Sequence, residues 1–287
     1  MTRLLNALTI DVEEHFQVHA FEKVIDRKEW DGFPSRVKDN TRLILDILGR
    51  HGVRATFFIL GWVAERYPEL VREIALDGHE IATHGHCHEL IYRQTPTEFG
   101  ADLAKSLGAI YKALQPCQAH NNTRIIGYRA PAFSISQGSR WALDVLREMG
   151  IKYDSSIFPL VTHDRYGDHH ASRFATQVIN GLWEFPISTF RLYGLNWPIG
   201  GGYFRLFPFK ITFFAINRIH AEGKPAIFYL HPWEFDPGQP RIRKGSHLSH
   251  FRHYVNLAKT ERRFHRLLQE FQFGTIREVF AEHLGNL

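Results

Sequence analysis

Three histidines fall within five residues at His84-Gly85-His86-Cys87-His88, directly after the strand-like stretch Gly78-His79-Glu80-Ile81-Ala82. The spacing of four between His84 and His88 lets one helical or tight turn aim both imidazoles at a single point. Neutral imidazole is the commonest protein ligand for zinc and its neighbours. Two histidines do not hold a catalytic metal alone, and a third ligand, usually a carboxylate, completes such a site. Carboxylates stand early in the chain, at Asp11-Val12-Glu13-Glu14. A chain with 18 histidines also clusters some by chance. The elements that would position these residues therefore have to decide between ligand and coincidence.

Residues 6–10 read as a buried strand that ends in the acidic cluster. Apolar residues at helical spacing predict a helix over 36–51, which Gly52 stops before a strand at 53–60. A helix over 68–76 leads to the strand that precedes His84. Thr95 is a plausible N-cap for a helix over 96–114. Further strands are expected at 124–128, 151–154, 182–187 and 226–231, with helices over 139–149, 208–221 and 250–271. Residues 273–276 would close the sheet. Strands alternating with helices at this spacing imply βαβ units and a mostly parallel sheet. Seven or eight such strands suggest a closed or nearly closed barrel. The regularity breaks between 155 and 208, where long irregular stretches contain Gly194 and Gly200-Gly201-Gly202. Loops of that length in a compact domain are usually functional or disordered. With no internal repeat or linker, one domain over 1–287 with insertions is expected.

The candidate polar residues sit at the C-terminal ends of successive strands. Asp11 and Glu13 follow the first, His84 and His88 the third, Arg129 the fourth, Asp154 the fifth and His231 the seventh. Barrels of parallel strands build their active sites on that face. Taken singly, Arg129 reads as a surface salt bridge, Asp154 as a cap and His231 as a satisfied core histidine. Five strand ends that all deliver metal-ligating or acid–base side chains outweigh those readings.

Composition sets the remaining bounds. The chain has 287 residues, 44% hydrophobic and 23% charged, ordinary for a globular protein with a substantial core. Its net charge of +5 is modest, and Lys and Arg form no stripe with stacking aromatics, so a nucleic-acid partner is not expected. Two cysteines make no disulfide framework, which points to a reducing compartment. No signal-peptide core and no apolar run near ~18 residues is visible. The expected address is the cytoplasm, or the periphery of an inner membrane.

On these residues the chain resembles the polysaccharide deacetylases with a NodB-type homology domain, carbohydrate esterase family four. Thr9-Ile10-Asp11-Val12-Glu13 is similar to the block that supplies a base carboxylate and a metal carboxylate. His84 to His88 resembles the His-x-x-x-His metal pair, and Arg129-Ala130-Pro131 the Arg-x-Pro block that steadies the base. Tyr153-Asp154-Ser155-Ser156 resembles the variable fourth block, and Leu230-His231 the closing block that supplies the general acid. Members associated with exopolysaccharide and exosortase loci are similar in Asp-Val-Glu, in Tyr128 to Ser134 and in Gly200 to Arg205. Val12 departs from the usual adjacent carboxylates, although alternation along a strand keeps Asp11 and Glu13 on one side. Ala132 replaces the aromatic usual after Arg-x-Pro, with Phe133 adjacent.

The resemblance implies an α/β fold, a distorted (β/α) barrel of about seven parallel strands. The motif-bearing core would span about 5–235, with a C-terminal helical extension over about 236–287. It implies a metal-dependent hydrolase that removes N-acetyl groups from acetamido sugars of a glycan, free or lipid-linked. Glu13, His84 and His88 would hold a divalent ion, zinc by its ligand set. Asp11 would be the base, steadied by Arg129, and His231 the acid; Asp154 would join the site. A backbone N–H near Ala132 would stabilise the oxyanion, with Phe133, Trp197 and Tyr203 against the sugar. A wall or lid over 161–172 (His163, Asp164, His169, His170) competes with plain solvated residues. A metalloamidase for a small cyclic or acyclic amide is the alternative enzyme, and a non-catalytic carbohydrate-binding protein the alternative class. A serine hydrolase lacks its Gly-x-Ser-x-Gly elbow, and a dinucleotide enzyme its Gly-x-Gly-x-x-Gly turn.

Overall fold

Side chains along β1 (Leu5–Val12) alternate between two buried environments. Leu8, Ile10 and Val12 pack into a layer of helices, whereas Ala7 joins Phe58, Ala82, Tyr153, Ile227 and Tyr229 in a core on the opposite face. A strand buried on both faces belongs inside a parallel sheet covered by helices. The computed structural model describes residues 4–117, 124–160, 168 and 170–285 and has that arrangement.

The further strands are β2 (Thr56–Ile59), β3 (Glu80–Thr83), β4 (Gly127–Tyr128), β5 (Tyr153–Asp154), β6 (Thr176–Ile179), β7 (Leu182–Glu184), β8 (Thr189–Leu192), β9 (Leu195–Pro198), β10 (Ile227–Leu230) and β11 (Gln272–Gly274). The main sheet runs β10-β1-β2-β3-β4-β5-β7-β6. All neighbours from β10 to β7 are parallel, and β6 folds back antiparallel on β7. Between β7 and β10 the sheet closes through a side chain: Ile227 N–H donates to Ser188 Oγ at 2.7 Å. The result is the expected mixed α/β architecture, with a seven-strand parallel wall curled into a distorted barrel.

The helices are α1 (Val37–His51), α2 (Gly61–Arg66), α3 (Pro68–Leu76), α4 (Pro96–Leu114), α5 (Trp141–Glu148), α6 (Gly201–Leu206), α7 (Phe209–Ala221), α8 (His247–Tyr254), α9 (Thr260–Glu270), α10 (Ile276–Val279) and α11 (Ala281–Leu284). Thr95 caps α4 reciprocally with Glu98, and Gly52 ends α1 in the left-handed conformation at φ 62°. Among the described residues, no helix is long and apolar enough to cross a membrane.

Three stretches differ from expectation. The helix expected over 250–271 breaks into α8 and α9, because Asn256 adopts φ 53° between them. Residues 273–276 do not close the sheet: β11 pairs with the start of β1, and Thr275 then caps α10. The irregular stretch over 155–208 contains two hairpins. Asn180-Gly181 joins β6 to β7. Tyr193-Gly194, with φ of 49° and 78°, joins β8 to β9 in the doubly positive turn that matches strand twist.

Gly127 shows how tightly the barrel interior is filled. A Cβ there would lie 2.2 Å from the Tyr153 ring, and that ring is pinned by its hydroxyl donating to Glu80 at 2.9 Å. Gly127→Ala should therefore cost at least ~1–3 kcal/mol of stability as an overpacked core position. Urea unfolding of the two proteins measures it, and a loss under ~0.5 kcal/mol, the scale of a neutral surface change, would mean that Tyr153 moves freely.

Candidate active site

The alternation that builds the barrel also selects which strand ends reach its mouth. Ala7, Ala82 and Tyr229 face the interior. Continuing by twos gives Asp11 on β1, His84 after β3 and His231 after β10. Gly127, whose face meets Tyr153, leads in the same way to Arg129. A tight turn after β1, with Glu13 N–H on Asp11 O at 3.1 Å, brings Glu13 to the same place.

Arg129 is fully buried and fills the barrel beneath the mouth. It donates to Asp11 at 2.6 Å, to Thr9 Oγ1 at 2.8 Å and to the carbonyl and hydroxyl of Ser155 at 3.0 and 2.8 Å. Its guanidinium lies 4.1 Å from the Phe58 ring centroid. Its own carbonyl accepts from His84 Nδ1 at 2.8 Å. A carbonyl can only accept, so His84 carries its proton on Nδ1 and presents the Nε2 lone pair.

The turn carrying the histidines is held from α4. Asp102 accepts from His86 N–H at 2.7 Å and from Cys87 N–H at 3.0 Å, and His88 follows with φ 52°. Ala132 and Phe133 also have left-handed φ, 49° and 54°. Such strain costs of order 1 kcal/mol or more per residue and collects where a site over-determines the backbone.

One donor atom each from Glu13, His84 and His88 lies within 4.8 Å of the others, and all three residues are buried. Their charge states suit metal ligands. Burial opposes ionisation of Glu13, but the charge and hydrogen bond of His88, then His231 and His84, hold its carboxyl down at about 2. Burial pushes His84 down to about 4 and keeps it neutral. Two imidazoles and one ionised carboxylate are the donor set of a divalent transition metal. The residues present therefore fit the cation expected from the sequence.

His231 follows β10, the strand beside β1, and its Nε2 lies 3.9 Å from Asp11 and 3.7 Å from Glu13. Burial alone would lower its pKa. The hydrogen bond to Glu234 and the charges of Glu13, Glu234 and Asp11 outweigh that and raise it to about 9.

Asp11, Glu13, His84, His88, Ala132, Phe133, Tyr203 and His231 all line one cavity of about 330 Å³. Asp154 and Trp197 do not line it, which corrects the expectation for both. Asp154 is in register with Tyr128 and Glu184, on the opposite sheet face from Tyr153, where Ser156 donates to it. Burial pushes its pKa up to about 6. Trp197 sits on β9 with 39% of its surface exposed and its indole N–H directed to Leu192 O at 3.4 Å. His163, Asp164 and His169 lie outside the described residues, and His170 borders a different, outer depression. Glu234, Arg205 and Trp233 were missed. The spacing His231-Pro232-Trp233-Glu234 is a capping-box signature and could have indicated Glu234.

Comparison with known proteins follows these residues. Residues 29–153 match the family model "Polysaccharide deacetylase", and 155–281 match "Domain of unknown function (DUF3473)". The first match holds His84, His88 and Arg129, the second holds His231, and Asp11 and Glu13 precede both. A chitooligosaccharide deacetylase of Bradyrhizobium sp. (strain ANU 289) is 37% identical over 70 residues, 24% of this chain and 32% of that relative. A peptidoglycan-N-acetylglucosamine deacetylase of Bacillus cereus is 39% identical over 66 residues, 23% of this chain and 24% of the relative. The chain thus spans about a third or less of the length of these relatives. A solved structure named as a polysaccharide deacetylase from Mycobacterium smegmatis superposes with TM-score 0.62 at 20% identity, covering 97% of this chain and 88% of that one. A family 4 carbohydrate esterase from Streptomyces lividans gives 0.51 at 15% identity, covering 96% and 93%. At these identities the likeness is one of fold.

Metal analysis separates the two early carboxylates. Asp11→Asn should keep close to one divalent ion per chain. Glu13→Gln should weaken binding by at least ~10–100-fold, the loss seen when even an outer partner of a ligand is removed. An Asp11→Asn protein that empties while Glu13→Gln stays loaded would reverse the assignment.

Proposed function

From the match of residues 29–153 to the polysaccharide deacetylase family model, we propose that this protein is a metal-dependent hydrolase that removes N-acetyl groups from acetamido sugars of a glycan. The observation that carries the reading is the meeting of Asp11, the Glu13/His84/His88 triad and His231 around one cavity, from three separate stretches of chain. The names of the curated relatives supply the substrate class. Zinc is the ion that the two-imidazole, one-carboxylate set favours.

Bound to Glu13, His84 and His88, the cation supplies Lewis acidity toward a water and an acetyl carbonyl. Asp11 takes the proton of the attacking water as its oxygen joins the acetyl carbon. Arg129, in a 2.6 Å contact from a fully buried position, orients Asp11 for that transfer. The backbone N–H near Ala132 stabilises the oxyanion, and Phe133 and Tyr203 border the space for the sugar. His231 gives its Nε2 proton to the departing nitrogen, because an amine anion is too poor a leaving group to depart unprotonated.

Acetate release from N-acetylglucosamine oligomers, with the monomer and a small cyclic amide beside them, tests the reading. Oligomers should be preferred, and chelation should abolish turnover until metal is returned. Asp11→Asn should lower kcat by ~10²–10⁴-fold, the usual worth of a positioned base. Full turnover by verified metal-free protein would end the metal assignment. Activity on the cyclic amide alone would end the glycan assignment in favour of a small-amide metalloamidase.

A further inference from the structure

Among the described residues, one buried carboxylate touches the His231 ring through its inner nitrogen. Glu234 Oε1 accepts from His231 Nδ1 at 2.8 Å and from the His231 backbone N–H at 3.1 Å. Its other oxygen accepts from Arg205 Nε at 2.6 Å. Arg205 is itself tied to three backbone carbonyls, those of His253 at 2.8 Å, Val255 at 2.9 Å and Arg252 at 3.2 Å. Glu234 and Arg205 are both buried, at 0% and 1% exposure. A buried carboxylate persists only when paired and fully hydrogen-bonded, and both oxygens of Glu234 are so engaged. Asp154, the other carboxylate expected at a strand end, lies on the far face of the sheet and reaches none of these groups.

We propose that Glu234 is the positioning residue for the acid His231 and that Arg205 fixes Glu234 in turn. An ionised carboxylate only accepts, so Nδ1 must carry a proton toward Glu234 and Nε2 must face the cavity. Without that partner the imidazolium has two flipped orientations, and the neutral ring left after donation has two tautomers, so only part of the population is poised to pass the Nε2 proton to the substrate. Stacking on Trp233, at a centroid distance of 5.1 Å, fixes the ring plane but not the tautomer. In the step served, the carbon–nitrogen bond breaks and its electron pair goes to nitrogen. That nitrogen takes the proton from His231 Nε2, while the oxygen of the attacking water leaves in acetate. The ring returns neutral, with its remaining proton on Nδ1 and still donated to Glu234.

The inference rests on the deacetylase reading, and its test keeps the two apart. In wild type, Glu234→Gln, His231→Gln and the double variant, deacetylation of an N-acetylglucosamine oligomer is measured beside hydrolysis of 4-nitrophenyl acetate. The phenolate of that ester departs without a proton. Glu234→Gln should lower deacetylation kcat by ~10–100-fold, and the double variant should match His231→Gln within about twofold. The ester rate of Glu234→Gln should stay within about threefold of wild type, since its leaving group needs no acid. The ratio of the two activities in one preparation cancels any misfolded fraction. Glu234→Asp, read by the same ratio, serves if the glutamine variant does not fold. Additive losses in the double variant, or equal losses on ester and amide, would make Glu234 a structural anchor and overturn the proposal. A wild-type protein that releases no acetate from any oligomer would overturn the deacetylase reading instead.

Discussion

The guanidinium of Arg129 is the constraint on which the rest of the site depends. A fully buried cation is tolerated only if its donors are met, and Thr9, Asp11 and Ser155 meet them from β1 and from the loop after β5. Those bonds cross the barrel and set the spacing between opposite walls. The carbonyl of the same residue fixes the tautomer of His84. One residue therefore orients Asp11 and His84 together, with its guanidinium 4.1 Å from the Phe58 ring centroid.

The electrostatics above Arg129 follow from confinement. Burial by itself would discharge a carboxylate and an imidazole alike. Glu13 stays ionised because three histidines surround it, whereas His84 is driven neutral by the same burial. An ionised carboxylate beside the neutral His84 imidazole is thus the state that burial and its neighbours favour. His231 escapes neutralisation because carboxylates face it from both sides, Glu234 behind and Asp11 and Glu13 in front. His84 and His231 are two histidine environments in one cavity, distinguished by which carboxylates each ring can reach.

Much of this was readable in the sequence, and the misses have physical reasons. Periodicity and caps located α3 and α4 because Pro68, Thr95 and the residues after them are strong local signals. The strands that carry Asp11, His84, Arg129 and His231 were readable because each is a short apolar run bounded by turns. Asp154 was placed by its position at a strand end alone. Its parity against Tyr153, which decides the face, needs the register of a two-residue strand that no sequence period can supply. Trp197 was assigned on aromatic content, but its hairpin packs outside the barrel on α7, where Phe190 meets Phe214 at 6.0 Å. That hairpin went unread because Tyr-Gly is an uncommon pair for a turn that favours Asn-Gly. Glu234 went unread because a His-x-x-Glu spacing looks like ordinary helix capping, and here the same carboxylate serves both backbone and ring.

The cavity also joins two parts of the chain that match separate family models. Residues before 155 bring Asp11, Glu13, His84, His88 and Arg129, on or just past β1, β3 and β4, in a run from β1 to β5 that follows sequence order. Residues beyond 155 bring His231 on β10, which pairs with β1 on the edge opposite β2. They also bring Tyr203 on α6, and the end of α8 that Arg205 holds. Gly200 and Gly201 let α6 pass over Tyr229: a Cβ at either would lie within 3 Å of that ring, and both glycines have positive φ. Acid and base therefore approach each other only because β1 is central in the sheet and accepts partners from both parts of the chain. The first part by itself would hold the ligands but leave the cavity without the wall that carries His231. The proposed deacetylation needs a proton removed from water and another delivered to nitrogen, so it would require both parts of the chain packed against the same strand.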